Sequence, residues 1–316
     1  MGDEIELENA GDKVYFRGPI ENLNIEQDYE NRHGFEMSGK IAASGNCNSL
    51  IGNSVTLGDY QFVYLFYECT SLTTSPELPA TTLAESCYDS MFYECTSLLT
   101  APELPATTMA DYCYWGMFKN CTELTVAPEL PATTLAESCY EEMFCECIAL
   151  TQGPSRIPAT VFPIGCCRFM FSYCDSLTNC PTMYVEEAQA ASMLCMFGNQ
   201  EYVDTHGITN ASNITIAASV IQTTDDEYTL GACQEMFSNC VNLIIPPNFL
   251  NTVEIQQNGC SGMFYNCRSL TRSPNLLATT LGEGCCQSMF EGCESLTEIT
   301  MSYTGEFLAD NGWSQN

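Results

Sequence analysis

Residues 75–98 read SPELPATTLAESCYDSMFYECTSL, residues 101–124 read APELPATTMADYCYWGMFKNCTEL, and residues 127–150 read APELPATTLAESCYEEMFCECIAL. Three stretches this alike are internal repeats, and the same frame extends in both directions. The string F-x-x-C-x-x-L begins at Phe66 and recurs with its Phe at 92, 118, 144, 171, 197, 237, 264 and 290, although Gln200 takes the Cys place after Phe197. The steps are 26 or 27 residues except for 40 between Phe197 and Phe237, a 14-residue excess. A fixed period of this length implies stacked units that bury their apolar faces only against one another.

Within a unit, Leu83, Cys87, Met91 and Cys95 lie four apart, with Leu98 three further on. Met109, Cys113, Met117 and Cys121, and Leu135, Cys139, Met143 and Cys147, repeat the offsets. That spacing predicts one face of a short helix on the convex side. LLTAPELP (98–105) predicts a short extended stretch, limited by Pro102 and Pro105 and stacked in parallel with its neighbours. The expected fold is an α/β repeat solenoid: a right-handed superhelix with a narrow parallel sheet on one face and short helices on the other.

The patterns SMFYECTSL and PELPATTLA resemble the leucine-rich repeats of the Bacteroides surface protein A type, also called the Treponema-type repeat. The resemblance covers roughly residues 60–300. It implies a curved solenoid displayed on a bacterial or protist surface and binding host proteins or other cells, so the expected function is adhesion at a cell surface or outside the cell through a protein or glycan partner. Similar repeats also resemble those in structural proteins of phages that infect gut Bacteroidales, which implies a virion component as the alternative.

The expected organisation is a β-rich N-terminal cap over 1–59, with strands at 13–18 and 35–44, then the solenoid over 60–300 with an insertion at about 198–232. Residues 301–316 form a C-terminal end without a recognisable cap, which could continue in a parent protein or dock a neighbour. The opening MGDEIELENAG has no basic or apolar leader segment, and no apolar run reaches 18 residues, so neither a visible signal peptide nor a membrane span is expected.

With 9 Lys+Arg against 40 Asp+Glu, the formal charge is −31. A field of that sign repels phosphate backbones, disfavours a nucleic-acid partner, and attracts Ca²⁺ or a basic protein surface. Glu77, Glu103 and Glu129 form one acidic column, and Glu85, Asp111 and Glu137 another. The plain reading of such columns is a solvated face. The functional reading is a ladder bridged by Ca²⁺ or by a basic partner. Trp115 stands where sister units carry Asp89 and Glu141, and so is expected to project outward as a binding aromatic. The insertion around His206 is the other candidate, because extra residues in a solenoid go to loops on one face.

The 21 cysteines fall mostly into two columns, Cys87, Cys113, Cys139, Cys166 and Cys285, and Cys69, Cys95, Cys121, Cys147, Cys174, Cys240, Cys267 and Cys293. The reading is reduced thiols acting as small core residues, with inter-rung disulfides as the alternative and zinc disfavoured by the spacing. Catalysis has little to draw on: the two histidines, His33 and His206, have no nucleophile at a recognisable spacing, and no phosphate-binding or metalloprotease motif is present. A non-enzymatic binding protein without a cofactor is therefore expected.

Overall fold

The computed structural model describes residues 34–199, 208–218, 220–222, 230–250 and 254–300, with 5–6, 9, 11–16 and 18 near the start. His33, His206, Gln200 and the whole C-terminal end from 301, Trp313 included, lie outside the described residues.

Eleven short strands are described: β1 (Ile41–Ala42), β2 (Leu72–Thr74), β3 (Arg156–Ile157), β4 (Val161–Phe162), β5 (Thr182–Val185), β6 (Glu187–Ala188), β7 (Ile214–Ile216), β8 (Val220–Ile221), β9 (Asn248–Phe249), β10 (Glu254–Ile255) and β11 (Thr280–Leu281). They pair in parallel, each with the strand one repeat away. One sheet runs β3-β5-β7-β9, and a second runs β4-β6-β8-β10-β11. Isolated parallel bridges such as Thr56↔Thr82, Thr108↔Thr134 and Val126↔Gln152 tie further rungs together. The coil is a solenoid in which each circuit pairs with the circuits before and after it. Proline cannot donate to a ladder, which accounts for the absence of strands through the PELP stretches of 76–79, 102–105 and 128–131; the bridges at Thr100, Thr108, Val126 and Thr134 flank the last two.

The third side differs from the sequence expectation. Residues 84–95 contain no α-helix. Cys87, Asp89, Met91, Tyr93 and Cys95 each donate their N–H to the carbonyl three residues back, at 3.1–3.3 Å. Ser86, Tyr88, Ser90, Phe92 and Glu94 instead donate to the following rung, at Asp111, Cys113, Trp115, Met117 and Lys119, at 2.8–3.0 Å. The segment is a chain of overlapping turns with a period of four residues. Every fourth residue has a left-handed backbone, with φ of 49° at Ser86, 51° at Ser90 and 57° at Glu94. Each such non-glycine residue costs about 1–2 kcal/mol, which the shared inter-rung hydrogen bonds offset. A period of four and a helical period of 3.6 place the same side chains inward over three turns, so the burial pattern holds while the helix does not. Cys87, Met91 and Cys95 are fully buried and Leu83 is half-buried.

The phenylalanines of the repeat form one continuous column. Phe66, Phe92, Phe118, Phe144, Phe171, Phe197, Phe237, Phe264 and Phe290 stack with ring centroids 5.4–5.7 Å apart and planes within 9° of parallel. Phe35 continues the column towards the N-terminus at 5.1 Å from Phe66. A second column runs Phe62, Tyr88, Tyr114 and Tyr140. Among the described residues of 1–59, the expected strands reduce to β1, which pairs with β2, and a 3₁₀ turn follows at Cys47–Ile51.

The 14-residue excess is not one loop. From Phe171 to Val185 is 14 residues, whereas from Phe197 to Ile216, the partner of Val185, is 19. From Ala188 to Phe197 is 9 residues, whereas from Ile221, the partner of Ala188, to Phe237 is 16. Five extra residues thus precede β7, seven follow β8 and two fall between them, while the rung itself pairs like its neighbours.

Candidate binding site on the turn face

The turn chain presents a column of left-handed positions that runs Tyr60, Ser86, Tyr112, Ser138, Gly165 and Ala191, one residue per rung. After Tyr112 the column carries only small side chains, and this opens a groove along the solenoid axis of about 520 Å³. Gly165 keeps it open: a Cβ there would lie 2.8 Å from Ser138 Oγ, and its φ of 61° suits glycine. Tyr112 and Trp115 stand one rung in from the end formed by Glu85, Ser86 and Asp89; Ile164 and Leu230 contribute apolar surface, and carboxylates stand on both sides.

On one side the exposed Glu85 and Glu137 belong to the acidic column that precedes each turn chain. Their backbone N–H groups are held by Asp59 Oδ1 and Asp111 Oδ1 of the preceding rung, at 3.2 and 3.1 Å. Their side chains accept hydrogen bonds from Tyr60 and Tyr112 hydroxyls at 2.9 and 3.1 Å. Burial, then the hydrogen bond to Glu137, raises the Tyr112 hydroxyl above its ordinary pKa, so the phenol stays a donor at neutral pH.

On the other side Asp89, Trp115, Glu141 and Arg168 occupy one column in successive rungs. Glu141 is 3 % exposed and is met by Arg168, whose Nε lies 2.8 Å from Oε1 and whose Nη2 donates to the same oxygen. The Arg168 guanidinium also lies 5.9 Å from the Phe169 ring centroid. Burying a carboxylate is costly unless it is paired, and Arg168 supplies that pair.

Trp115, named from the sequence as an outward aromatic, is half-buried and lines this groove. Glu77, Glu103 and Glu129 are exposed, as a solvated column requires, and none of them lines the groove. Glu129 is engaged locally, accepting from the Ser155 N–H at 3.1 Å and from its hydroxyl at 2.7 Å. Of the sequence candidates, therefore, Trp115 is joined to the Glu85 and Glu137 column and not to the Glu77 column. Sequence reasoning missed the groove itself. Its signal was the run Ser138, Gly165 and Ala191 at a position where earlier units carry Tyr60 and Tyr112.

Among the described residues, no group of three or more His, Cys, Asp or Glu is arranged to hold a metal ion. No helix among them is long and apolar enough to cross a membrane.

No family model matches the chain, and no curated protein matches it. Among solved structures, the chain is similar to a leucine-rich cell surface protein from Faecalibacterium prausnitzii, at 16% identity and a TM-score of 0.30 over 78% of this chain and 83% of that one. It is similar to a leucine-rich-repeat protein from Bacteroides ovatus, at 17% identity and a TM-score of 0.32 over 77% and 70%. It is also similar to a leucine-rich-repeat protein from T. pallidum, at 16% identity and a TM-score of 0.32 over 90% and 92%. The solenoid assignment stands on the parallel rungs of this chain.

Proposed function

We propose that this chain is a non-enzymatic leucine-rich-repeat binding protein that acts at a cell surface or outside the cell and recognises a protein or glycan partner. The observation that carries the reading is the groove on the turn face, where an aromatic pair, apolar surface and fixed carboxylates border one open concavity. Concave sites with a few placed polar groups are where ligands bind, and half-exposed aromatics supply the contact area. The rungs beneath are cross-bonded in every circuit, so the site is rigid before it is filled and ordering it costs little.

The thiols fit an oxidising exterior as well as a reducing one. All 21 cysteines are free and all but the half-buried Cys293 are buried, and burial keeps an oxidant from reaching them. The exposed Glu77, Glu103 and Glu129 column is the second surface of the proposal, with Ca²⁺ or basic partner residues as its counter-charges.

The test is a panel of extracellular proteins and glycans probed with the wild-type chain and with Trp115→Ala. A partner that binds the wild type and is lost or weakened at least tenfold, about 1.4 kcal/mol, by Trp115→Ala supports the reading. Partners bound equally by both proteins would contradict a role for this groove.

A further inference from the structure

We propose that the groove beside Trp115 takes an arginine side chain presented by a protein partner; this rests on the binding reading above and names the chemistry of the ligand. The shape is the first reason. The groove follows the rungs from Ser86 to Ala191, four steps that measure 5.5, 5.6, 5.5 and 5.5 Å in the adjacent phenylalanine column. That length exceeds one side chain, leaving room for the backbone on either side of it, and the groove is open to solvent along its length rather than closed around a small molecule.

The lining is the second reason. Trp115 and Tyr112 offer aromatic surface beside the exposed carboxylates of Glu85 and Glu137. A guanidinium is planar, stacks on an aromatic face, donates along two edges to carboxylates and is weakly hydrated; an ammonium matches only the charge. The groove already treats one guanidinium in this way, since Arg168 combines the Glu141 carboxylate with the nearby Phe169 ring. Glu141 is thereby occupied, whereas the hydrogen bonds to Glu85 and Glu137 come from neutral phenols and leave their charge in place.

The third reason is the field. With 40 acidic residues against 9 basic ones, the chain draws cations in and excludes an acidic peptide. A neutral glycan would use the aromatic surface and leave the charges of Glu85 and Glu137 without a counter-charge.

The chain holds two tryptophans, so Trp313→Phe makes Trp115 the only indole and its emission a reporter placed in the groove. Triarginine is titrated into this protein at low salt, with trilysine in parallel. The expected result is a saturable emission change with triarginine and affinity at least about fivefold weaker for trilysine. Glu85→Gln with Glu137→Gln, which keeps an acceptor for both tyrosines, weakens triarginine by at least about fivefold, while Glu186→Gln with Glu187→Gln removes the same charge elsewhere and does not. Circular dichroism confirms that each variant is folded. Equal affinity for the two peptides, or equal loss in both double variants, would show general attraction to an acidic protein and overturn the proposal. A glycan or an arginine-free protein that binds through Trp115 would also overturn it, and would leave the binding reading standing.

Discussion

The Sγ of Cys95 donates to the carbonyl oxygen of Phe66, one rung earlier, at 3.1 Å. The same bond joins Cys121 to Phe92, Cys147 to Phe118, Cys174 to Phe144 and Cys267 to Phe237. This column is therefore more than a set of small apolar groups: each thiol keeps its proton and uses it to tie two circuits together. Cys121→Ala removes both the donor and buried volume, and is expected to lower stability by about 1–3 kcal/mol in denaturant titration. Unfolding the protein without reductant should release well over half of the 21 cysteines as free thiol. A count near one would mean a disulfide ladder in place of the hydrogen-bonded one.

Burial pushes the Cys87 thiol from an ordinary 9.0 up to about 12, and raises Cys47 and Cys145 to about 12 as well. A group whose pKa is higher in the folded state holds its proton after the unfolded chain has lost it. Its contribution to stability is full below the unfolded value of 9.0 and disappears as the pH rises towards 12. The denaturant midpoint should be level between about pH 7 and 8 and fall steadily above about pH 9. A midpoint unchanged to about pH 11 would mean that these thiols are exposed in solution.

Phe118 is fully buried and stacks between Phe92 at 5.5 Å and Phe144 at 5.6 Å. Phe118→Ala should cost about 3–5 kcal/mol. Phe290, half-buried in the last described rung, should cost clearly less when replaced in the same way. Equal losses at the two positions would contradict a column whose strength comes from neighbours on both sides.

Glu94 and Glu146 have φ of 57° and 64°. Glycine removes the left-handed penalty there and adds unfolded-chain entropy, so Glu94→Gly with Glu146→Gly should raise stability by about 1 kcal/mol in total. In a helix interior the same pair would lower it by roughly 1–2 kcal/mol. The sign of the change distinguishes the turn chain from the helix.

That distinction marks how far the sequence could be read. The period, the parallel rungs and the inward Cys87, Met91 and Cys95 followed from spacing alone. Spacing could not separate a period of four from one of 3.6 over twelve residues. Two features bear on it: the inward residues come in adjacent pairs, Cys87 with Tyr88 and Met91 with Phe92, and the left-handed positions carry glycine in other rungs, at Gly116, Gly165, Gly262, Gly284 and Gly292. Trp115 was legible as an outlier within its column. The groove was not, because it arises from small residues in three successive rungs, Ser138, Gly165 and Ala191, and has no motif within any one of them.

The central claim is that recognition takes place on the turn face, at Tyr112 and Trp115. Hydroxyl-radical footprinting with and without the partner tests it on the side chains themselves. Tyr112 and Trp115 should lose most of their reactivity when the partner binds, while Tyr184, exposed on the sheet side, keeps its own. Unchanged oxidation of Tyr112 and Trp115, with protection at Tyr184 instead, would place the partner on the sheet face and contradict the account.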